Sequence, residues 1–327
     1  MSPELSARAA SQEPTPVKIG LVGAGQWAAT MHAPLHAAGA ETRLTGIWSP
    51  GSRHNAARLA KEFGVCAFDS YEELLACSEA VDFAVPPTVQ ADLAPQAADA
   101  GLGLLLEKPL GVSLAQATRV ADAIRRNGSA NAVVLTKRYH ARTRQFVTAV
   151  ADLRAKGPVA GVTGTYLHGG FLEAGFLTGK ERNGWRSEYG ALYDLGPHLL
   201  DLMELAAGPV VAVRTDGTNT YTALTTHHAD GATSQAVLSG SVTGPSATTT
   251  LNVHSPVGSL EYSTRGMDHS ECWPALRREF AEAVRHGTPP TVDVERALII
   301  QEIVEAAALS AKEHRQVWVD EVRNGGR

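Results

Sequence analysis

Residues 17–28 of the chain read Val17-Lys-Ile-Gly-Leu-Val-Gly23-Ala-Gly25-Gln-Trp-Ala28. The apolar start predicts a short buried strand, which the glycines end at a turn into residues that suit a helix. Gly23 allows the tight turn, Gly25 has no Cβ atom to keep a phosphate from the backbone, and Ala28 lets helix and strand pack closely. Backbone amides and a helix N-terminus then converge on one anion site. A dinucleotide pyrophosphate fits this pattern.

The segments that follow alternate between strand and helix patterns as far as about residue 137. This context matters, because a glycine-rich turn can also join a strand to a helix for steric reasons alone. Strands are expected at about 43–48, 65–68, 81–85, 104–106 and 132–135. Ser70 and Ser113 each precede Glu or Gln by three residues and predict capping boxes that begin two of the helices. Strict alternation predicts a parallel sheet covered on both faces.

The composition changes near Lys137. Segments rich in Thr, Ser, Val and Gly then alternate in polarity and are separated by turn signals, at about 161–168, 210–214, 223–227, 233–241, 248–254 and 259–262. They predict a mostly antiparallel sheet, with helices at about 143–156, 274–286 and 294–314. Because helices cover only one face of such a sheet, we expect an oligomer that buries the other face.

Composition limits the class of partner. The 327 residues are enough for two domains, and the formal net charge of −5, with both signs interspersed, provides no basic face for nucleic acid or an anionic membrane. Three scattered cysteines favour a reducing cytoplasm and argue against a disulfide framework or structural zinc. No apolar run approaches the roughly 20 residues needed to span a bilayer. Residues 1–16 lack signal-peptide features and are expected to form a disordered leader.

Glu107-Lys108-Pro109 directly follows a buried strand, at the edge where open α/β sheets bind ligands. Pro109 biases Lys108 away from helical geometry and makes a cis peptide bond possible. An ammonium group there could polarise a carbonyl or hydroxyl oxygen beside a nicotinamide. The alternative is a surface ion pair between Glu107 and Lys108, because lysine is usually solvated.

A second candidate stretch runs from Asp194 to Asp201. Gly196 and Pro197 suit the N-cap and first helical positions, which places His198 in the first turn of a helix. The helix dipole disfavours an imidazolium there, whereas Asp194 or Asp201 would favour it. A histidine so balanced can exchange a proton near neutral pH. The alternative is a core histidine held by Asp201.

The end of the second strand bears on the choice of nicotinamide cofactor. A pocket for NAD usually places an acidic residue about 20 residues beyond the glycines, where it holds the ribose 2′-hydroxyl. Residues 48–53 contain no carboxylate, and Ser49, Ser52 and Arg53 offer donors for a 2′-phosphate instead. The sequence therefore favours NADP over NAD, unless Arg53 is only an exposed residue at the start of the next helix.

Together, the glycine turn with His32, Glu107-Lys108-Pro109, and Asp194 to His198 followed by Asp201 resemble the motifs of the Gfo/Idh/MocA family of glucose-fructose oxidoreductase, inositol dehydrogenase and rhizopine-catabolism proteins. The resemblance extends from residue 17 to about residue 319. It implies a Rossmann domain at residues 17–137 and an α+β domain at 138–327. The second domain, with its open and mostly antiparallel sheet, would bind substrate and form homodimers or homotetramers.

The resemblance also implies roles for individual residues. His198 would be the acid/base, Lys108 would hold and polarise the reacting oxygen, and Asp194 would orient the substrate or the proton relay. Further cofactor contacts are implied for Gln26, Trp27, Pro86 and Glu107. Further substrate contacts are implied for Tyr139, Trp185 and Arg186.

The implied reaction is hydride transfer between nicotinamide C4 and a secondary alcohol or ketone of a sugar, cyclitol or sugar derivative. Two departures from the family pattern leave the substrate open: Gln90 stands in place of a histidine after Val85-Pro86, and Tyr189 replaces a glycine. A redox-neutral enzyme of the glycosidase type that retains NAD, and a non-catalytic dinucleotide-binding sensor, are the alternatives. No metal site is expected, because His198 and Asp201 lack further ligands.

Overall fold

The computed structural model describes residues 15–172, 184–243 and 247–325. The predicted leader, apart from Thr15 and Pro16, lies outside the described residues. The described residues contain a six-stranded and a seven-stranded sheet. None of their helices is both long and apolar enough to span a membrane.

The first sheet is parallel throughout, as the alternating pattern predicts. Its strands are β1 (Val17–Val22), β2 (Thr42–Trp48), β3 (Cys66–Ala67), β4 (Ala80–Phe83), β5 (Gly103–Leu106) and β6 (Asn131–Val133). The spatial order β3-β2-β1-β4-β5-β6 reverses direction between β1 and β4. In open α/β sheets this reversal creates a crevice at the carboxyl ends of the strands, where ligands bind.

Helices cover both faces of this sheet. They are α1 (Ala33–Ala37), α2 (Arg53–Phe63), α3 (Tyr71–Ala76), α4 (Pro87–Asp99) and α5 (Leu114–Asn127). Ser70 Oγ accepts from the Glu73 amide at 3.2 Å, and Ser113 Oγ accepts from the Gln116 amide at 3.3 Å, so both predicted serine caps form. A π-helical turn at Ala28–His32 leads into α1.

The second sheet is antiparallel except for one pair. Its strands are β7 (Gly161–Leu167), β8 (Val210–Gly217), β9 (Thr222–His228), β10 (Thr233–Ser239), β11 (Thr248–Ser255), β12 (Gly258–Ser263) and β13 (Val317–Trp318). They follow the order β12-β11-β7-β10-β9-β8-β13, and β7 pairs with β10 in parallel. The six longer strands were expected, whereas β13 has only two residues and gives no alternating pattern.

The remaining helices pack around both sheets. They are α6 (Ala141–Lys156), α7 (Trp185–Asp194), α8 (Gly196–Ala207), α9 (Cys272–His286), α10 (Val294–Glu313) and α11 (Val319–Gly325). The sequence pattern did not predict α7 or α11. It also placed the N-cap of α8 one residue late, because Leu195 is the cap and Gly196 already lies in the helix.

Two large hydrophobic cores organise the molecule. The core of the first sheet includes Trp273 and Phe280, so α9 packs against the N-terminal sheet although it comes late in the chain. The amide of Val133 in β6 also donates to the carbonyl oxygen of Val292 at 2.9 Å. The second core lies beneath the seven-stranded sheet and includes Leu199 of α8. A contact between Lys108, just beyond β5, and Asp194, just before α8, brings the start of α8 close to the end of the parallel sheet.

Candidate active site

The glycine turn has the two properties that its sequence predicts. Gly23 has a φ of 121°, and a Cβ atom there would lie 2.2 Å from the carbonyl oxygen of Ala84, so only glycine fits. A Cβ atom on Gly25, in contrast, would meet none of the described atoms within 4 Å. The open side of Gly25 is consistent with close approach of a phosphate group to the backbone.

Glu107 links the glycine turn to the end of β5. Its Oε1 accepts hydrogen bonds from Trp27 Nε1 at 2.7 Å and His32 Nε2 at 3.0 Å. Its Oε2 accepts from the backbone amide of Lys108 at 3.1 Å. The alternative, an ion pair between Glu107 and the Lys108 ammonium group, is wrong, because that group binds Asp194 instead.

The Gln90 side chain holds the segment at the end of β5 by hydrogen bonds to the backbone of Glu107. Its Nε2 donates to the carbonyl oxygen of Glu107 at 2.8 Å, and its Oε1 accepts from the Glu107 amide at 2.8 Å. The peptide bond between Lys108 and Pro109 is cis. The departure from histidine at position 90 thus still leaves a side chain that fixes the segment carrying Lys108.

A buried charged network lies beneath this loop. His32 Nδ1 lies 2.9 Å from both carboxylate oxygens of Asp82, and His36 Nε2 lies 3.0 Å from Asp82 Oδ2. Burial would lower the pKa of His32, but the charges and hydrogen bonds of Asp82 and Glu107 outweigh it and raise the pKa to about 10. Burial would raise the pKa of Asp82, but the two histidines lower it to about 2. His32 is therefore an imidazolium paired with a carboxylate at neutral pH.

The Lys108 side chain extends from the end of the parallel sheet to Asp194, the last residue of α7, just before α8 begins. Its Nζ donates to Asp194 Oδ1 at 2.7 Å and to the Asp194 carbonyl oxygen at 2.9 Å. Arg186 Nε donates to Asp194 Oδ2 at 3.3 Å. Burial would raise the pKa of Asp194, but the charges of Lys108 and Arg186 lower it well below its usual range. Asp194 is consequently an ionised anchor for the lysine.

His198 lies in the first turn of α8, as predicted, with only 8% of its surface exposed. Its Nδ1 has no hydrogen-bond partner among the residues that the structure describes. Burial first, and then the charges of Lys137 and Lys108, hold the pKa of His198 well below its ordinary value. A neutral imidazole that can accept a proton results.

Asp201 does not hold His198, so the alternative of a core histidine bound to this carboxylate is wrong. Asp201 Oδ1 instead accepts from Arg138 Nη1 at 2.9 Å and from Arg296 Nε at 2.8 Å. The prediction that Asp194 or Asp201 would favour the charged imidazole is corrected for the same reason: both carboxylates are taken up by lysine or arginine.

Lys137 is a site residue that the sequence motifs did not reveal. It lies just beyond β6, in the 3₁₀ turn Thr136–Tyr139, and only 4% of its surface is exposed. Its Nζ lies 3.9 Å from the centroid of the Tyr166 ring, and that ring in turn meets the His198 ring edge-to-face at 6.3 Å. Burial and the charge of Lys108 lower the pKa of Lys137 to about 7, against the opposing effects of Cys272 and Asp194.

The predicted substrate residues divide into two groups. The Arg186 guanidinium stacks over the Trp185 ring at 4.5 Å and reaches Asp194, so this pair borders the site. Tyr139 does not lie in the site. It is buried in the first core, and its hydroxyl donates to the carbonyl oxygen of Val133 at 3.1 Å. Its assignment to the substrate is therefore corrected to a role in packing.

Ser49 and Arg53 border a cleft of about 290 Å³ at the end of β2. The fold also brings Asp69 there, and its carboxylate pairs with the Arg53 guanidinium. Residues 48–53 themselves contain no carboxylate, but the fold adds one to this cleft, because Asp69 follows β3, the strand beside β2. Ser52 accepts from the Asn55 amide at 3.2 Å and caps α2.

The other predicted cofactor residues lie around the glycine turn. Gln26 is exposed immediately after Gly25, and its carbonyl oxygen accepts from Thr30 Oγ1 at 2.9 Å. Pro86 is the N-cap of α4, directly after the segment that closes against Gly23. Among the described residues, no group of three or more His, Cys, Asp or Glu side chains is arranged to hold a metal ion.

Known proteins resemble the chain in sequence over part of its length. Residues 17–135 match the model of GFO_IDH_MocA, described as an oxidoreductase family with an NAD-binding Rossmann fold. Glucose-6-phosphate 3-dehydrogenase of Bacillus subtilis (strain 168) is 28% identical over 192 residues, which are 57% of this chain and 52% of that protein. The dTDP-3,4-didehydro-2,6-dideoxy-alpha-D-glucose 3-reductase of Streptomyces violaceoruber is 30% identical over 200 residues, 61% of this chain and 56% of that protein. The chain thus spans about half the length of these relatives.

Solved structures show that the whole fold is shared. GenD2 from gentamicin A biosynthesis, in complex with NAD, has a TM-score of 0.81 at 22% identity, covering 94% of this chain and 97% of that one. A putative myo-inositol dehydrogenase from Sinorhizobium meliloti 1021 has a TM-score of 0.77 at 19% identity, covering 93% and 99%. At these identities the likeness concerns the arrangement of both sheets and their helices.

Proposed function

We propose that the chain, whose residues 17–135 match the Gfo/Idh/MocA family model, is an NAD(P)-dependent oxidoreductase of that family. The substrate carbon is a secondary alcohol or ketone of a sugar, cyclitol or sugar derivative, and a hydride moves between it and nicotinamide C4. The observation that carries the proposal is the contact of Lys108 with Asp194, the last residue of α7, which brings the end of the parallel sheet to the start of α8, where the neutral His198 lies.

The two side chains have complementary tasks at the reacting oxygen. In the oxidation direction, neutral His198 accepts the hydroxyl proton while the Lys108 ammonium holds the oxygen and stabilises its developing negative charge. Asp194 orients the lysine by accepting from its Nζ at 2.7 Å. A bound nicotinamide supplies the hydride acceptor. In the reduction direction the protonated histidine returns the proton.

The glycine turn provides the cofactor site in this proposal. The open side of Gly25 and the helix that follows would receive the pyrophosphate. Ser49 and Arg53 would contact the adenosine ribose, and we favour NADP because Arg53 can meet a 2′-phosphate. Asp69 competes for that guanidinium, but Arg53 is 76% exposed, and such exposed ion pairs contribute only about 0–1 kcal/mol. NAD remains the alternative cofactor.

A second copy of the chain is proposed as the partner of the seven-stranded sheet. One face of β7 and its neighbours borders a cleft of about 420 Å³ whose lining includes Thr163, Thr165, Thr225, Gln235 and Thr250. An open face of this breadth is well suited to symmetric pairing. Light scattering should give a mass of two or four chains, and a monomer at every concentration would contradict this part of the proposal.

A substrate screen with both cofactors tests the proposed reaction. The purified protein is incubated with NADP or NAD and a panel of sugars, cyclitols, sugar acids and sugar phosphates, and nicotinamide absorbance and products are followed. We expect reduction of the cofactor with at least one member. Turnover with a tightly retained cofactor and no net absorbance change would indicate a redox-neutral enzyme. Dinucleotide binding without turnover of any member would indicate a sensor.

A further inference from the structure

The site contains more positive than negative charge around Lys137. Asp194 is the one carboxylate of the described residues whose charge acts on the Lys137 amine, and it already accepts from Lys108 and Arg186. Lys137 itself forms no ion pair with any residue in the described ranges. Two lysines therefore share a single carboxylate, and only Lys108 contacts it.

The surroundings of Lys137 do not replace the missing counter-ion. Its Nζ lies over the Tyr166 ring at 3.9 Å. The ring offers a cation–π contact but no negatively charged acceptor. A buried ammonium group that has lost its hydration and has no paired anion is unfavourable. Only 4% of the Lys137 surface is exposed, so solvent does not replace the missing counter-ion either.

We propose that Lys137 is the specificity residue for an anionic group of the substrate, a carboxylate or a phosphate. This inference rests on the proposed dehydrogenase function and narrows its substrate class to acidic sugars or sugar phosphates, in preference to neutral polyols. Tyr166 connects Lys137 to His198, so the anion would lie beside the reacting carbon rather than at a remote site. The anion also completes the ion pairing that the chain leaves unfinished.

The anion is not the pyrophosphate of the cofactor. The glycine turn follows β1, whereas Lys137 follows β6, and β4 and β5 lie between these two strands in the sheet. The amine instead lies on the side of β5 and Lys108, where the substrate oxygen is proposed to bind.

The charge of Lys137 depends on pH, and this gives the proposal a signature. Burial and the neighbouring Lys108 lower the pKa of Lys137 to about 7. The titratable groups that face it are Lys108, Asp194, Tyr166, His198, His269 and Cys272. His198 is already neutral at pH 7, so it does not titrate in this range. The kcat/KM for an anionic substrate should therefore fall as pH rises through about 7, and that for a neutral analogue should not.

Matched substrates test the inference through turnover. Glucose, glucuronate and glucose 6-phosphate are compared for the wild type, Lys137→Met, Lys137→Arg and the exposed control Lys156→Met. We expect the wild type to prefer one of the charged sugars, which also separates the carboxylate from the phosphate. Lys137→Met should lose about tenfold or more in kcat/KM on the charged sugar relative to its change on glucose, as expected for one lost charge-assisted contact. Lys137→Arg should restore most of the loss.

Two kinetic outcomes would overturn the inference. One is a wild type that prefers glucose to both charged sugars. The other is a Lys137→Met variant that loses the same factor on charged and neutral sugars, because this would indicate a general role in structure or chemistry. If Lys137→Arg and the wild type have equal melting temperatures, the variant is folded and its kinetics can be compared directly with those of the wild type.

A binding measurement separates this inference from the proposed function. The protein is labelled with ¹³C at lysine Cε, and the resonance absent from Lys137→Met is titrated with pH by NMR. Glucuronate or inorganic phosphate should raise its pKa by about one unit or more, and glucose should not, because a paired anion favours the charged amine. This shift without turnover of any sugar would support an anion site at Lys137 and refute the proposed reaction. Turnover without the shift would refute the inference alone.

Discussion

Two buried histidines, His32 and His198, show how opposite environments give one residue type opposite charges. Asp82 and Glu107 contact His32 and raise its pKa to about 10. His198 faces the positive charges of Lys137 and Lys108, and its pKa falls well below the ordinary value. Both side chains are removed from water, so the sign of the neighbouring charges decides the outcome. The first histidine is suited to hold structure together, and the second is suited to accept a proton.

Replacing the proton acceptor should have the largest effect. His198→Ala is expected to lower kcat by about 10²- to 10⁴-fold, the usual contribution of a positioned general base. Cofactor affinity should change little, because the glycine turn belongs to the parallel-sheet domain, whereas His198 lies in α8, which packs against the seven-stranded sheet. Steady-state kinetics and fluorescence titration with NADP and NAD measure the two effects. His286→Ala, at an exposed position near the end of α9, is the matched control, and a His198→Ala enzyme as active as this control would rule out the assignment.

Lys108→Met should have the next largest effect. Removal of a preorganised donor to a developing oxyanion typically costs about 10²- to 10³-fold in kcat. Lys61→Met, on the exposed side of α2, provides the control. A variant that keeps wild-type kcat would show that the contact with Asp194 only joins the two sheets.

The structural histidine should affect stability rather than the chemical step. His32→Gln leaves Asp82 buried with a weaker partner and is expected to lower the free energy of unfolding by about 3 kcal/mol. His36 still contacts Asp82, so the loss should lie at the lower end of the range of about 3–5 kcal/mol that is typical of breaking a buried ion pair. Urea unfolding at pH 6 measures the difference from the wild type. A stability loss under about 0.5 kcal/mol, the range of ordinary surface substitutions, would contradict an ion pair at this position.

The pH dependence of that difference sharpens the assignment. The pKa of His32 rises from its ordinary 6.5 to about 10 on folding. Its stabilising contribution is complete below 6.5 and is lost as pH rises through 10. The wild type should therefore lose its advantage over His32→Gln between these values. An advantage that stays constant from pH 6 to 10 would show that His32 is neutral.

The smallest expected effect concerns the cofactor. Arg53→Ala should reduce kcat/KM for NADP by about tenfold and leave that for NAD nearly unchanged, since only NADP has a 2′-phosphate to pair with the guanidinium. Asp69→Asn removes the carboxylate that pairs with Arg53 and should therefore increase the preference for NADP over NAD. Kinetics with both cofactors measures the ratio, and an unchanged ratio in both variants would remove Arg53 and Asp69 from cofactor selection.

The sequence predicted best what depends on neighbours along the chain. The period-two and period-3.6 patterns predicted both sheets, and the spacing from Gly196 to His198 predicted a histidine in the first turn of a helix. Lys108 was found because it follows a buried strand directly. Tyr139 was misplaced because the family resemblance, which alone implied its substrate contact, does not reveal that its side chain turns into the core.

Residues brought together by strands that are distant in sequence were missed. Asp69 reaches the β2 cleft only because β3 lies beside β2 in the sheet. Lys137 approaches Lys108 because β6 lies beside β5. Asp82 gave one signal, a carboxylate inside an otherwise apolar strand, and its partner His32 lies 50 residues away along the chain. A charged residue within or just after a buried strand is thus worth examining for partners at the same sheet edge.

NMR titration of the imidazole ring nitrogens of His32 and His198 in one ¹⁵N-labelled sample tests the central claim most directly, with His32→Gln and His198→Ala supplying the assignments. At pH 7 the His32 ring is expected to carry a proton on both nitrogens and the His198 ring to carry one. A doubly protonated His198 at pH 7, or two rings that titrate together near 6.5, would contradict that claim.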